Sequence, residues 1–128
     1  MRKLPPLFLR AIFPIPMNKP RISFDEFSKI EVRVGTVQGA ERVPDTDKLL
    51  KLMVDFGEET PRQIISGIVA YVESPDDLVG KQFAFVTNLE PRTIRGLESN
   101  GMLFAVGEDD SFAFLTPSRS VPPGTGAH

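Results

Sequence analysis

The segment NLEPRTIRGLESNGML, residues 88–103, places cationic and polar side chains between two apolar runs of the sequence. Two guanidinium groups lie three residues apart, at Arg92 and Arg95, with an amide at Asn88 and a hydroxyl at Ser99. Guanidinium groups form paired hydrogen bonds to phosphate or carboxylate oxygens, and shorter polar side chains add further contacts. The segment therefore predicts the binding of a phosphate-rich ligand.

The sequence offers few residues that could take part in catalysis or bind a metal ion. Cysteine is absent, and the single histidine is His128. Asp76 and Asp77 fall in the first turn of a short predicted helix, where carboxylates complement the helix dipole. Ser66 has no neighbouring base and does not belong to a Gly-x-Ser-x-Gly elbow. We therefore predict no catalytic residue, no metal site and no cofactor.

Further cations lie on the strands predicted before this segment. Arg33 falls on the polar side of the first strand, and Lys48 and Lys51 stand at the start of the second. A barrel can bring such residues to one surface, although the net charge of the chain is −2. An alternative stays open, in which these cations are ordinary surface charges paired with carboxylates. The carboxylates in question are Glu31, Asp47, Glu90 and Glu98.

Alternation of apolar and polar residues predicts about six short strands. In the first strand, Ile30, Val32 and Val34 are expected to face the core, and Arg33 and Gly35 to face outward. In the second, the residues expected to face the core are Leu50, Leu52, Val54 and Phe56. The predicted strands span residues 30–37, 49–56, 62–68, 81–88, 101–107 and 112–116.

Two short helices are predicted from capping residues. Ser23 and Glu26 form a capping box for a helix over 23–30. Ser74 is expected to cap a second helix over 74–80, between the third and fourth strands. Several short strands with one small helix at this place are typical of an all-β OB-fold, a five-stranded barrel that binds nucleic acids or sugars.

The N-terminal region, residues 1–21, is predicted to be an extension of the domain formed by residues 22–128. Its apolar stretch is interrupted by prolines and is shorter than the roughly 20 residues that span a bilayer. No small-residue cleavage site follows it. We therefore expect no membrane association and a cytoplasmic location.

Several motifs, taken in order, resemble the tRNA-binding domain family. They are Asp-Lys-Leu-Leu at 47–50, Ser-Gly-Ile at 66–68, and Asn-Leu-x-Pro-Arg-x-x-Arg-Gly-x-x-Ser-x-Gly-Met at 88–102. The resemblance covers about residues 22–117. This family includes stand-alone structure-specific tRNA-binding proteins and the C-terminal (beta) domain of many methionyl-tRNA synthetases. It also includes small dimeric export-chaperone-like proteins.

The resemblance implies an OB-fold without catalysis, homodimerisation of the stand-alone domain, and recognition of folded tRNA by shape and backbone. A further option is that the chain serves as an auxiliary module of methionyl-tRNA synthetase and has that enzyme as a partner. A dimeric chaperone-like protein that binds unfolded peptides is the alternative. The candidate RNA-binding residues, from the charge pattern and the matched motifs together, are Arg33, Lys48, Lys51, Ser66, Asn88, Arg92, Arg95, Ser99 and Met102.

Overall fold

The computed structural model describes residues 18–128, so most of the predicted N-terminal extension lies outside the described residues. Most of the regular secondary structure in the described chain is strand, and its helices are single turns. The strands are β1 (Val32–Arg42), β2 (Leu50–Asp55), β3 (Arg62–Ser66), β4 (Gln82–Val86), β5 (Arg92–Ile94), β6 (Leu97–Ser99), β7 (Met102–Leu103), β8 (Ala105–Val106) and β9 (Ala113–Phe114). The helical turns are α1 (Phe24–Phe27) and the 3-10 turns Val69–Tyr71, Pro75–Leu78 and Asp109–Ser111.

Five strands form one antiparallel sheet in the order β3-β2-β1-β4-β7. The long strand β1 pairs with β4 through its first half and with β2 through its second half, and a bulge lies between Val37 and Gly39. The sheet nearly closes on itself, because the Asn100 N–H donates to the Gln63 carbonyl of β3 at 2.8 Å. The structure confirms the predicted all-β, OB-like barrel.

The core of the barrel is built on β2, as predicted. Leu50, Leu52, Val54 and Phe56 are all buried, and the Phe56 ring meets Phe85 edge-to-face with 5.3 Å between ring centroids. Complete burial of such a side chain contributes about 1.5–3 kcal/mol relative to leaving it in water. This packed wall gives the loops on the barrel surface a rigid support.

The prediction for β1 is wrong about which of its faces is buried. Gly35 and Val37 are buried, whereas Val34 is only half-buried and Ile30 is 52% exposed. A Cβ atom at position 35 would overlap with the side chains of Val54 and Phe56. Glycine therefore stands on the core side because the side chains of β2 occupy the space next to it. Because a glycine occupies the buried face, the alternation of apolar and polar residues indicated the opposite face of β1 as the buried one.

The first predicted helix is present but shorter than expected. The Ser23 hydroxyl accepts from the Glu26 N–H at 3.1 Å, and α1 ends at Phe27 instead of residue 30. Between β3 and β4 the chain forms two 3-10 turns, and the Ser74 side chain makes no capping hydrogen bond there, contrary to the prediction. No helix within residues 18–128 has the length and apolar character needed to cross a membrane.

The helix predicted over 74–80 forms only the short 3-10 turn Pro75–Leu78, because the chain returns to β1 directly after it. Val79 adopts an extended backbone, and Gly80, at φ 86°, donates its N–H to the Val37 carbonyl at 2.8 Å. The C-terminal segment also lies against β1. The Val34 N–H donates to the Thr125 carbonyl at 2.8 Å, and the Gly124 N–H donates to the Val34 carbonyl at 2.7 Å.

Candidate nucleic-acid interface

An open groove of about 620 Å³ lies between the loop that joins β1 to β2 and the hairpin of β5 and β6. We call it the basic groove, because it brings together Lys48, Arg92 and Arg95, three of the predicted site residues. Its lining residues are Thr46, Asp47, Lys48, Leu49, Arg92, Thr93, Ile94 and Arg95.

The loop that carries Lys48 is held by hydrogen bonds at its base. The Val43 N–H donates to the Leu49 carbonyl at 3.0 Å, and the Thr46 hydroxyl donates to the Val43 carbonyl at 2.8 Å. The Lys48 carbonyl accepts from the Val69 N–H at 3.1 Å. The backbone at Lys48 is therefore fixed, while the residue stays exposed.

Arg95 stands at the tip of the β5–β6 hairpin, a segment that the sequence predicts only as a loop. Ile94 pairs with Leu97, so Arg95 and Gly96 form a two-residue turn with φ of 51° and 79°. Positive φ at both central residues is the mark of a type I′ turn, which matches the twist of paired strands. Arginine rarely adopts this conformation. The turn places the Arg95 side chain at the exposed end of the hairpin.

Ser99 anchors this hairpin to the barrel wall. Its hydroxyl accepts from the Ile65 N–H at 3.0 Å and donates to the Gly101 carbonyl at 3.1 Å, and the residue is 5% exposed. Next to it, the Gln63 side-chain amide donates to the Glu98 carbonyl at 2.9 Å. The sequence predicts Ser99 as a ligand contact. The structure instead buries it, with its hydroxyl already bonded on both sides.

The basic groove carries a local excess of positive charge on an acidic chain. Lys48, Arg92 and Arg95 are exposed, and none of them forms a salt bridge within residues 18–128. Asp47 is the acidic residue among those that line the groove. Pairing with neighbouring carboxylates, the alternative left open by the sequence, does not describe these three cations.

Arg33 lies outside the basic groove and is held by acceptors within the protein. Its Nη2 donates to the Phe56 carbonyl at 2.9 Å, and its Nε donates to the Gly124 carbonyl at 3.3 Å. Its Nη1 lies 3.4 Å from Glu58 and 3.6 Å from Glu31. Because these donors are in use, Arg33 fastens the C-terminal segment to the barrel rather than presenting a free guanidinium group.

Arg62 completes this network, and sequence reasoning did not find it. It forms a two-point pair with Glu58, four residues away, and donates to the Thr87 carbonyl at 2.7 Å. The hydrogen bond from Arg62 lowers the pKa of Glu58 below its ordinary 4.5, although partial burial opposes the shift, and Arg33 lowers it further. The same pair raises the pKa of Arg62. The four-residue spacing of the acidic Glu58 and the basic Arg62 was the feature of the sequence that could have indicated this ion pair.

Lys51 is also engaged elsewhere. Its Nζ lies 2.6 Å from the Glu41 carboxylate. Lys51 and Glu41 line a separate groove of about 390 Å³, together with Met53 and Asp76. The structure therefore does not bring Lys51 into the basic groove.

The other predicted site residues also lie outside the basic groove. The Asn88 Oδ1 accepts from the Glu31 N–H at 2.8 Å, and its Nδ2 donates to the Lys29 carbonyl, so Asn88 ties the segment after α1 to the barrel. Ser66 is half-buried at the end of β3. Met102, on β7, is 44% exposed.

Two threonines line the basic groove without having been predicted, Thr46 and Thr93. Thr93 lies between Arg92 and Arg95, and Thr46 lies two residues before Lys48, so proximity to the predicted cations was the signal that could have found them. Among residues 18–128, no group of three or more His, Cys, Asp or Glu side chains is arranged to hold a metal ion.

Comparison with known proteins places these features in a family. The family model described as "Putative tRNA binding domain" matches residues 32–126. The methionine–tRNA ligase of Methanoregula boonei is 53% identical over 106 residues, which are 83% of this chain and 15% of that protein. The methionine–tRNA ligase of Bacteroides fragilis is 45% identical over 108 residues, 84% of this chain and 16% of that protein. The chain thus spans about 15% of the length of the curated relatives it matches.

Solved structures are similar over most of the chain as well. A MetRS-related protein from Pyrococcus horikoshii has a TM-score of 0.78 and 39% identity, covering 86% of this chain and all of that one. The chaperone CsaA from Bacillus anthracis has a TM-score of 0.75 and 28% identity, covering 85% of this chain and all of that one. With the family model matching residues 32–126, the chain belongs to the tRNA-binding domain family.

Proposed function

We propose that the chain is a non-catalytic tRNA-binding protein whose basic groove contacts the RNA backbone. One observation carries the proposal: Lys48, Arg92 and Arg95 converge on one open groove and form no salt bridge in the described part of the chain. The groove lies between the β1–β2 loop and the connection from β4 to β7. OB-folds bind oligonucleotides between these two loops.

The groove suits phosphate and ribose better than unstacked bases. Its lining residues within 18–128 include no aromatic side chain, and proteins that hold single strands use such side chains as stacking platforms. Folded RNA presents phosphates and 2′-hydroxyls, while its deep major groove hides the base edges. Two guanidinium groups and one ammonium group fit this ligand, so we propose recognition of tRNA by shape and backbone.

The test is a titration of total tRNA by the purified chain across a series of salt concentrations, read by fluorescence anisotropy. We expect the double variant Arg92→Ala/Arg95→Ala to stay folded and to bind more weakly. Each lost phosphate contact should lower the log–log salt slope by about one unit. Alanine and arginine both carry a Cβ, so the turn at position 95 is equally strained in the variant.

A matched control removes two exposed cations that are not among the lining residues of the basic groove. Lys19→Ala/Arg21→Ala changes the net charge by the same amount, so it separates a local contact from a general electrostatic effect. If the Arg92→Ala/Arg95→Ala variant binds with the affinity and slope of the control, the proposed role of the basic groove is wrong.

We further propose that the chain serves as an auxiliary module for methionyl-tRNA synthetase. The support is that its relatives are named methionine–tRNA ligases and that the chain matches about 15% of their length. A tRNA-binding module attached to a synthetase raises the effective tRNA concentration at the active site. Co-purification of the tagged chain with methionyl-tRNA synthetase, retained after nuclease treatment, supports this role. Absence of the synthetase from the purified material contradicts it.

The proposal includes a homodimer, supported by an apolar surface next to α1. The exposed fractions of Ile22, Phe24, Phe27 and Ile30 are 56%, 78%, 54% and 52%, and α1 buries no residue of its own. Leu89 follows Asn88, whose side chain hydrogen-bonds to this segment, and it is 44% exposed. Exposed apolar residues grouped in this way indicate an interaction site. We expect the molar mass in solution to be twice that of the chain and to fall to one chain in Phe24→Ser/Phe27→Ser.

The second candidate function is binding of unfolded peptides. The same apolar surface and the similarity to a structure named chaperone CsaA favour it. Suppression of the aggregation of an unfolded client protein is the discriminating assay. If Phe24→Ser/Phe27→Ser abolishes that suppression and wild-type protein leaves tRNA unbound, the peptide-binding function replaces the tRNA-binding one.

A further inference from the structure

A second cationic cleft lies at the start of β4, where the C-terminal segment passes over it. Its volume is about 290 Å³. Two of its lining residues are cations, Lys81 and Arg119, and none of those within residues 18–128 is acidic. We call it the C-terminal cleft. Its lining residues are Gly80, Lys81, Gln82, Phe83, Thr116, Pro117, Arg119 and Ser120.

The outer wall of the C-terminal cleft is a loop pinned at both ends to β4. Before the loop, the Leu115 carbonyl accepts from the Ala84 N–H at 2.9 Å. After it, the Val121 N–H donates to the Gln82 side-chain oxygen at 3.0 Å, and the Gln82 amide donates back to the Val121 carbonyl at 2.6 Å. Residues 116–120 therefore form a short, fixed arch that carries Arg119.

The opposite wall is fixed as well. The Lys81 N–H donates to the Leu78 carbonyl at 3.1 Å, and the Lys81 carbonyl accepts from the Val37 N–H at 2.9 Å. Neither Lys81 nor Arg119 forms a salt bridge with another described residue, and both are exposed. Two cations on hydrogen-bonded segments of the backbone thus line the same cleft without an acidic partner in residues 18–128.

The floor of the C-terminal cleft excludes base stacking. Phe83 is 3% exposed, and its ring stacks on Phe114 with 4.3 Å between centroids, so neither of its faces is offered to a ligand. The hydroxyls of Thr116 and Ser120 add polar groups beside the two cations. A volume of about 290 Å³ is at the lower end of the range for small-molecule pockets. These features fit a phosphate group and not a nucleobase.

The C-terminal cleft is separate from the basic groove. The two sites share no lining residue among residues 18–128. Val37 of β1 is bonded to Lys81, and Val43, six residues later, is bonded to Leu49 in the basic groove. Six residues of extended chain span at most about 20 Å at 3.3 Å per residue, a distance that the backbone of one folded RNA can bridge.

We propose that the C-terminal cleft is a second phosphate-binding site, at which Lys81 and Arg119 hold an RNA backbone phosphate remote from the basic groove. The inference rests on the proposed tRNA-binding function and extends it to a two-point grip. Two separated contacts fix the orientation of a folded RNA on the barrel, which one contact does not.

The experiment compares three double variants of the full chain with wild type in titrations of total tRNA over a salt series. Lys81→Ala/Arg119→Ala tests the C-terminal cleft, Arg92→Ala/Arg95→Ala tests the basic groove, and Lys19→Ala/Arg21→Ala is the charge-matched control. We expect the cleft variant to bind about fivefold more weakly than the control, with a salt slope lower by one to two units. Circular dichroism and thermal unfolding of each variant check that the fold is kept.

A second measurement separates RNA phosphate from free phosphate. Inorganic pyrophosphate is titrated into labelled protein, and the amide signals of Lys81 and Arg119 are followed by NMR. If Lys81→Ala/Arg119→Ala no longer responds to pyrophosphate but binds tRNA as tightly as the charge-matched control, the C-terminal cleft is a site for small phosphates. That result overturns the proposed RNA contact. Equal affinity and slope in the cleft variant and the control overturn it as well.

The two proposals fail in different ways. If only the basic-groove variant weakens tRNA binding, the second site is wrong and the proposed function stands. If only the cleft variant does so, the C-terminal cleft is the RNA contact and the basic groove is not. If wild-type protein leaves tRNA unbound, both proposals are wrong.

Discussion

The carboxylate of Glu58 and the guanidinium group of Arg62 form a two-point pair, with Nε to Oε1 at 2.9 Å and Nη2 to Oε2 at 2.8 Å. The same carboxylate lies 3.4 Å from Arg33 Nη1. Both guanidinium groups lie near the Phe56 ring, at 5.5 Å for Arg33 and 5.4 Å for Arg62 from its centroid. One carboxylate therefore holds two cations against an aromatic residue of the core.

This pair predicts that acid weakens the fold. The folded-state pKa of Glu58 is lowered, chiefly by the Arg62 hydrogen bond, so its contribution is fully present above about pH 4.5. That contribution is lost as the pH falls through the lowered folded-state value. In Glu58→Gln we expect a loss of about 0.5–1 kcal/mol at neutral pH, since the carboxylate is partly exposed. Urea unfolding at pH 7 and at pH 3 measures the effect.

The neighbouring residue Glu59 supplies the control. It is exposed and forms no salt bridge within the described residues, so Glu59→Gln removes one carboxylate and leaves the pair of Glu58 and Arg62 in place. In Glu58→Gln the difference in unfolding free energy between the two pH values should be smaller than in wild type. An unchanged difference in that variant contradicts the assigned role of the pair.

Arg33 is expected to act on stability and not on RNA binding. Arg33→Lys keeps the charge but cannot reproduce the donors that reach Phe56 and Gly124, because an ammonium group lacks the planar fork. We expect a loss of about 1–3 kcal/mol of unfolding free energy, typical of hydrogen bonds that involve a charged group. Denaturant unfolding measures this loss. A tRNA affinity that drops while stability is unchanged would return Arg33 to the RNA-binding surface.

The parts of the fold that the sequence predicted are those set by local patterns. The alternation in β2 placed Leu50 and Phe56 in the core, and Ser23 capped α1 as its type suggests. The buried face of β1 was predicted wrongly because its inward position 35 holds glycine. The absence of a side chain there is explained by Val54 and Phe56, which lie elsewhere in the sequence. Packing between strands was not readable from one strand alone.

The candidate site was predicted in part for the same reason. Sequence motifs marked Lys48, Arg92 and Arg95, and the barrel brings these three together. Arg33 and Lys51 carry the same charge, but their partners are distant in sequence or lie across a strand pair. Which cation is free and which is engaged depends on the tertiary structure. Residue type alone therefore does not distinguish a free cation from an engaged one.

Ser99 is expected to hold the hairpin rather than the ligand. In Ser99→Ala the Ile65 N–H loses its acceptor in a buried position. An unsatisfied buried donor costs about 1–3 kcal/mol. Thermal unfolding should show the loss, and hydrogen exchange at the Ile65 amide should be faster than in wild type. Wild-type stability together with weaker tRNA binding would instead indicate direct contact with the ligand.

Substitutions at Arg95 separate the effect of charge in the basic groove from the effect of the backbone conformation of the hairpin. Asparagine tolerates the positive φ that position 95 requires, whereas arginine is strained there. We expect Arg95→Asn to keep or raise the unfolding free energy, by up to about 1 kcal/mol, and to lower the salt slope of tRNA binding by about one unit. Unfolding and tRNA titrations on the same preparation measure both quantities.

Arg95→Lys is the matched variant, because it keeps the charge and the strained backbone. Its salt slope should equal that of wild type, even if its affinity falls because an ammonium group lacks the two-point geometry of a guanidinium group. Tight binding with an unchanged slope in Arg95→Asn would mean that the hairpin tip does not contact phosphate. The strained turn would then serve only to connect β5 to β6, and the cationic surface would reduce to Lys48 and Arg92.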